Sequence, residues 1–541
     1  MRSGSSPRDS RYEMPSTSAP LTEGEGTTSG RFMAWLDRPL LGRHCVLAWI
    51  LATIVFLGMI ALLGGPTAND SGESLYSTWA IAHGDFGCAY PHVTQALAQN
   101  YLPIYLPGPH VPPLWPLVSG VIAAAGGIGG SAPFPSAHAL GPGCNSVYPA
   151  LFAWAHSNRT LWPTLGIGYL SWFALLSGVI AVVRASGRGR RGWEALAVLL
   201  VAMAPVVWEP ILDEFHPQDL LAMGLILGGI ACFQRRWWAW SGVLLGLAVA
   251  SQQFALLVLL PLFVLAPGNR RWRLAGLATG AWCLIGLPFV ATGGRNALNG
   301  LIVGTGDWFT FGGTVLWETG LRGHSLVFAS RVLPILACVA IAWWARHRLG
   351  SRVFEPAILL SLLATTLSLR LVFEQGLFGY KFMALAVMLI VLCVVRRRRM
   401  GETLTWLALV TLASEPIPLG LAFNARTWGH SAAVALPVVA AAAIFGLIIW
   451  DACHRRVRWY LVAGLLVTLL AFVPWPWTAE LRPLSLVWLV QILLVPPGIA
   501  LAVEPMVSAM RVTSVGLSDS TVDSVAVDVK KTTVTVTLSE P

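Results

Sequence analysis

Residues 45–64 read CVLAWILATIVFLGMIALLG, an unbroken apolar run without a charged side chain. A helix of that length matches the hydrocarbon thickness of a bilayer, so the run predicts a first transmembrane span. Arg31, Arg38 and Arg43 precede it and no cleavable signal pattern is evident, which predicts a cytoplasmic N-terminus. The same alternation continues down the chain. Short arginine clusters at Arg184/Arg188/Arg190/Arg191, Arg235/Arg236, Arg270/Arg271/Arg273, Arg346/Arg348/Arg352, Arg396 to Arg399 and Arg455/Arg456/Arg458 punctuate apolar runs. If all face the cytoplasm, an even number of crossings must separate successive clusters.

Spans near 45–64, 161–183, 193–208, 219–234, 272–291, 326–345, 354–369, 381–395, 402–414, 431–450, 459–474 and 484–504 satisfy that parity. The fold class is therefore an all-α polytopic membrane protein, a bundle of about twelve transmembrane helices plus re-entrant or short helices, although several runs fall below the usual span of roughly 20 residues. Two apolar stretches do not fit as single crossings. Residues 113–130 are expected to be re-entrant or surface-lying. Residues 237–267 are interrupted by Ser251-Gln252-Gln253, which predicts two half-membrane helices or two short spans.

Composition supports this class. The chain is 55% hydrophobic and only 11% charged, which excludes an ordinary soluble domain. Its 25 Trp suit aromatic belts at two interfaces. A net charge of +10 invites a nucleic-acid partner, but the Lys and Arg sit in short clusters between apolar runs, so none is expected and membrane lipid is the surrounding partner. The eight Cys show no metal-ligand spacing, and no metal or cofactor is expected. Cys88 and Cys144, in a polar region placed outside the cytoplasm, are candidates for a disulfide, and Asn158-Arg159-Thr160 matches a short sequon.

Four regions follow. Residues 1–30 are Ser/Thr/Gly/Pro-rich and read as a disordered cytoplasmic tail. Residues 31–290 form a first membrane module with a long extracytoplasmic loop at 65–160. Residues 291–505 form a second, and 506–541 a flexible cytoplasmic tail with a Val/Thr/Ser alternation over 521–538. The expected location is the cell membrane, with both termini inside.

Chemistry collects on the outer side of this topology. Just past the first span, residues 69–91 hold Asp70, Glu73, His83 and Asp85 in a chain otherwise short of acid. A carboxylate where a membrane helix meets water is costly unless paired or used, which makes Asp70 the first candidate. Glu73 and Asp85 read as solvated or fold-stabilising. A second acidic connection carries Asp213, Glu214, His216, Gln218 and Asp219, and Pro217 there also fits ordinary capping of a helix start. Later outer loops add Arg322 and His324, then Arg370, Glu374 and Lys381. A carboxylate base and several cations facing one cavity suit sugar transfer from a lipid phosphate. The acceptor hydroxyl needs a base, assigned to Asp70, and the leaving phosphate needs cations, assigned to Arg322, His324, Arg370 and Lys381.

Asp70, Tyr76, Ala80, Gly84 and Tyr90-Pro91 together resemble the first outer loop of the GT-C class of polyprenyl-phosphate-dependent glycosyltransferases, particularly glycosyltransferase family 87, bacterial mannosyltransferase-like proteins. His216-Pro217-Gln218-Asp219, an apolar span, Arg235-Arg236, the stretch Ser241 to Gln253 and Arg270-Arg271-Trp272-Arg273 resemble that family's Gln-rich loop, glycine-bearing helix and basic turn. The resemblance covers roughly residues 45–290. It implies a GT-C-like bundle and an inverting transferase with Asp70 as general base and Tyr76, His216, Gln218 and Asp219 at the substrate. The implied partners are a polyprenyl-phosphate-linked sugar donor and a lipid or glycan acceptor, without nucleotide or redox cofactor. The family often carries Lys where this chain has Gln252 or Gln253, so donor-phosphate binding departs from the pattern there.

Two other classes stand beside this one. A transporter or lipid flippase predicts internal repeats and broken helices in both halves, whereas the only broken run read here is 237–267. A non-catalytic scaffold predicts that Asp70 and the cations lie apart or face lipid.

Overall fold

The computed structural model describes residues 46–54, 57, 77–89 without 79 and 85, 112–125, 162–188, 192–212, 216–302, 321–374 without 322, 379–414 and 494–510. Every regular element among them is helical. A first helix, α1, covers 46–54 within the first expected span. It is followed by a short helical turn at 77–82 and a 3-10 turn Phe86–Ala89. Then come α2 (Leu114–Ala125), α3 (Trp162–Val183), α4 (Gly192–Met203), α5 (Pro205–Leu212), α6 (Pro217–Gln234), α7 (Trp238–Ser251), α8 (Leu256–Leu265) and α9 (Arg270–Ile302). The series closes with α10 (Gly323–Leu349), α11 (Pro356–Phe373), α12 (Met383–Arg396), α13 (Met400–Ser414) and α14 (Leu494–Met510).

Five stretches are long and apolar enough to cross a membrane: Gly168–Gly187, Pro217–Gln234, Arg270–Gly294, Phe328–Phe354 and Pro356–Phe373. The others are shorter. The expected span 193–208 is divided into α4 and α5, because Pro205 lacks the N–H that would continue the ladder and disfavours helical backbone at Ala204. The expected spans 431–450 and 459–474, both termini, Cys144 and the sequon at Asn158 lie outside the described residues, as does the Cys88 side chain.

The bundle is built round two helices that water cannot see. Every residue from Met383 to Val395 of α12 is buried, and α6 is buried on most of its surface. An all-round apolar helix belongs in the middle of its neighbours. By contrast α9 and α10 are outer helices, with Leu284, Leu287, Phe328 and Leu336 exposed.

Close crossings need small residues. A Cβ on Gly178 of α3 would lie 2.5 Å from the Gly224 carbonyl oxygen of α6, so only glycine permits that approach. Gly242 and Gly246 of α7 press in register on Leu274 and Ala278 of α9, and a Cβ on Gly242 would lie 2.6 Å from the Leu274 carbonyl oxygen. Helices α7 and α9 therefore run parallel, with α8 returning between them. Helices α6 and α7 run antiparallel and are stapled at both ends: Ser241 Oγ donates to the Gly229 carbonyl and Ser251 Oγ to the Gln218 carbonyl, each at 2.9 Å.

The arginine clusters among the described residues converge at one end of the bundle, and Arg455/Arg456/Arg458 lie outside those residues. Gln234 at the end of α6 lies 3.5 Å from Ser186 beyond α3, and Phe233 stacks on Phe354 beyond α10. Phe233 also meets Trp238 edge-on, and Arg270 lies 5.6 Å above the Trp238 ring. Arg346 donates to the Val264 carbonyl, Arg397 lies 5.3 Å above Trp193, and Arg396 and Arg399 pair with Glu504 of α14. Helices α6 and α12 both finish here, with Arg236 and Arg397 left-handed at φ 62° and 56°, the position where glycine usually ends a helix. The start of α6, the ends of α7 and α11 and the start of α12 consequently share the opposite end.

Candidate functional site

At that opposite end six of the residues singled out in the sequence come together: His216, Gln218, Asp219, Arg370, Glu374 and Lys381. Pro217 occupies the first helical position of α6, where its missing N–H costs nothing. The Asp219 N–H donates to the His216 carbonyl at 3.0 Å, and this tight start aims His216, Gln218 and Asp219 into the bundle. Gln218 and Asp219 are 3% and 0% exposed, too deep for residues that merely cap a helix. His216 Nδ1 lies 3.0 Å from Gln218 Nε2, and the imidazole stacks on Tyr380 with centroids 4.5 Å apart. An amide N–H donating to Nδ1 leaves the neutral ring's proton on Nε2.

The capping alternative for Asp219 is replaced by an ion pair. No side chain caps α6, and Asp219 Oδ2 instead lies 3.4 Å from Arg370 Nη1. Arg370 sits in the last turn of α11, its guanidinium 4.6 Å above the Phe254 ring. Its Nε donates to Glu374 Oε2 at 3.1 Å, and Glu374 Oε1 lies 3.6 Å from Lys381 Nζ. Lys381 is carried by the 3-10 turn Gly379–Phe382 that leads into α12. Arg331 of α10 adds a further charge acting on Glu374. Thus Arg331, Arg370 and Lys381 face two carboxylates, Asp219 and Glu374.

Buried charges are expensive unless paired, and this group is incompletely paired. Asp219 Oδ1, Gln218 Oε1 and Arg331 Nε are buried without a hydrogen-bond partner. Burial alone would raise the Glu374 carboxyl, but Lys381, Arg370 and Arg331 more than reverse that and hold it at about 2. The cluster can therefore offer an anion two or more cations and offer hydroxyl groups two unused acceptors. Among the described residues no group of His, Cys, Asp and Glu is arranged to hold a metal.

The first loop reaches the same end indirectly. Thr78 and Ser119 hydroxyls meet at 2.5 Å, Ile81 packs where Gly120 leaves room on α2, and Ser77 Oγ donates to the Ala89 carbonyl at 3.1 Å. Phe86 packs on Phe289 of α9. In turn Leu114 and Trp115 of α2 share a small core with Leu221 and Ala250, neighbours in sequence of Asp219 and Ser251.

Asp70, Tyr76 and Arg322 lie outside the described residues, as does the His324 side chain, although His324 itself falls in the first turn of α10. The sequence reading missed Arg331, Tyr380, Phe254 and the placement of Glu374 among the cations. Arg331 carried a usable signal: it is a lone charge inside the apolar run 326–345. The others are ordinary residues brought in only by packing.

The chain matches no protein-family model and no curated protein.

Proposed function

We propose that this chain is an integral-membrane glycosyltransferase with a GT-C-like bundle of about twelve transmembrane helices. In this reading it moves a mannose-like sugar from a polyprenyl-phosphate donor to a lipid or glycan acceptor on the extracytoplasmic face. The observation that carries the proposal is the buried group of Arg370, Lys381, Asp219 and Glu374 at the end of the bundle opposite the arginine clusters. The positive-inside rule puts the arginine end in the cytoplasm and this group on the outer side, where lipid-linked sugars without a nucleotide are used.

Asp70 is the proposed base. It takes the proton from the acceptor hydroxyl, the freed oxygen attacks the anomeric carbon from the face opposite the phosphate, and the bond to the phosphate oxygen breaks with its electron pair leaving on the phosphate. Arg370 and Lys381 stabilise the leaving charge, with Arg322 and His324 proposed to assist from the loop before α10. Tyr76, His216, Gln218 and Asp219 are assigned to the sugar, for which the unused Gln218 and Asp219 oxygens are suitable acceptors. Ser77 follows Asp70 by seven residues, so the base can lie no more than about 25 Å of chain from the anchored 77–89 segment.

The test is transfer by purified protein from a panel of radiolabelled polyprenyl-phosphate sugars to membrane lipid acceptors. Wild-type protein should transfer one of them, and D70N should insert and fold but transfer none. Full activity of D70N removes the mechanism. One observation favours a second reading: the chain breaks between α7 and α8 at the extended Gln252, close to the charged group, a device that transporters use at substrate sites. Vesicle uptake of a sugar phosphate without transfer would support that reading.

A further inference from the structure

Glu374 is surrounded by cations from three separate elements: Arg370 of α11 at 3.1 Å, Lys381 of the 3-10 turn at 3.6 Å, and Arg331 of α10 through its charge. The enclosure is larger than one carboxylate can satisfy. Arg331 Nε is buried and makes no hydrogen bond, and Arg370 is already shared with Asp219. A buried donor left unused among three cations is costly in a resting protein, and an anion with more acceptor oxygens would relieve it.

Glu374, like Lys381 on its 3-10 turn, does not sit within a long helix. It is the first residue past α11, in extended backbone at φ −67° and ψ 155°, so its carboxylate can turn away without unwinding a helix. Arg331 and Arg370, in contrast, project from helices fixed by packing.

We propose that Arg331, Arg370 and Lys381 form a single anion site in which Glu374 is a resident carboxylate that the phosphate of a prenyl phosphate lipid displaces. The lipid identity rests on the transferase reading above, whereas the anion site and its resident carboxylate rest on the geometry alone. The internal carboxylate offsets the mutual repulsion of the cations and keeps them from recruiting other anions, and it lowers affinity for the spent lipid phosphate by competing for the same donors.

Binding of inorganic phosphate and of geranyl phosphate to full-length protein in an uncharged detergent tests this. E374Q removes the competing charge and should bind geranyl phosphate roughly tenfold more tightly than wild type, as expected when a site mostly occupied by its own side chain is vacated. Adding R331Q to E374Q should abolish that gain. Equal or weaker binding by E374Q makes Glu374 a structural brace and overturns the proposal. If E374Q does not insert, E374D carries the same test: it keeps the charge but retracts it by a methylene, and should gain about threefold, no gain being fatal. Preference for geranyl phosphate over inorganic phosphate supports the lipid, and equal affinity overturns the lipid while leaving the site. A gain in E374Q without glycosyl transfer by wild type would leave the anion site standing and bring down the transferase reading. Transfer by wild type with no gain in E374Q or E374D would do the reverse.

Discussion

Arg370 and Asp219 meet at 3.4 Å although 151 residues separate them, and their pairing ties the last turn of α11 to the first turn of α6. Asp219 is fully buried with its Oδ1 unpartnered, while Arg370 is 12% exposed and also holds Glu374. Removing either charge strands the other in low dielectric. D219N and R370Q should each lower unfolding stability in detergent by about 3 kcal/mol, R370Q more because it also releases Glu374. The D219N/R370Q double variant should recover at least ~1 kcal/mol relative to the sum of the two. Denaturant unfolding followed by tryptophan fluorescence measures the cycle, and strictly additive losses would mean that the pair contributes no coupling.

Glu374 gives this site a defined acid sensitivity. Its carboxyl is depressed from the ordinary 4.5 to about 2 because Lys381, Arg370 and Arg331 outweigh the burial that would raise it. A folded-state value below the unfolded one contributes stability that is complete above pH 4.5 and is lost as the pH falls from there towards 2. Asp219 and Tyr380 also act on Arg370, and the Arg370–Asp219 pair does not depend on Glu374. Thermal unfolding of wild type should fall steeply across that window. The E374Q protein, already uncharged there, should show a shallower slope, and parallel curves for the two would rule out Glu374 as the source.

Much of the architecture was readable from the pattern of charge and apolar runs, because both are local. The run 161–183 became α3, 219–234 lies within α6, and the interruption at Ser251-Gln252-Gln253 is the break between α7 and α8. The shared end of the described arginine clusters was also legible, since each cluster marks the end of an apolar run. Other features were hidden for physical reasons. A continuous hydrophobic stretch at 193–208 masks the break before Pro205, which composition does not see. Arg370, Lys381 and Asp219 could be named as candidates one at a time, but their meeting depends on how α6, α11 and the turn before α12 pack. Glu374 looked like one more loop acid, and only its position among three cations distinguishes it.

The side of the membrane on which the charged group lies is decided by two exposed positions. Ser351 is exposed beside Arg352 at the arginine end, and His83 is exposed in the turn after 77–82, on the segment that packs against α2. If arginine clusters mark the cytoplasm, a cysteine at 351 and one at 83 must answer oppositely to a thiol reagent that does not cross the membrane. In a background without the native cysteines, H83C should be labelled in intact cells and S351C only after permeabilisation. The physical reason for this expectation is the cost of moving several guanidinium groups per connection across the bilayer, a cost that does not depend on what the protein binds. Labelling of S351C in intact cells would invert the orientation, put Arg370, Asp219, Glu374 and Lys381 on the cytoplasmic side, and remove the basis for an extracytoplasmic lipid-linked donor.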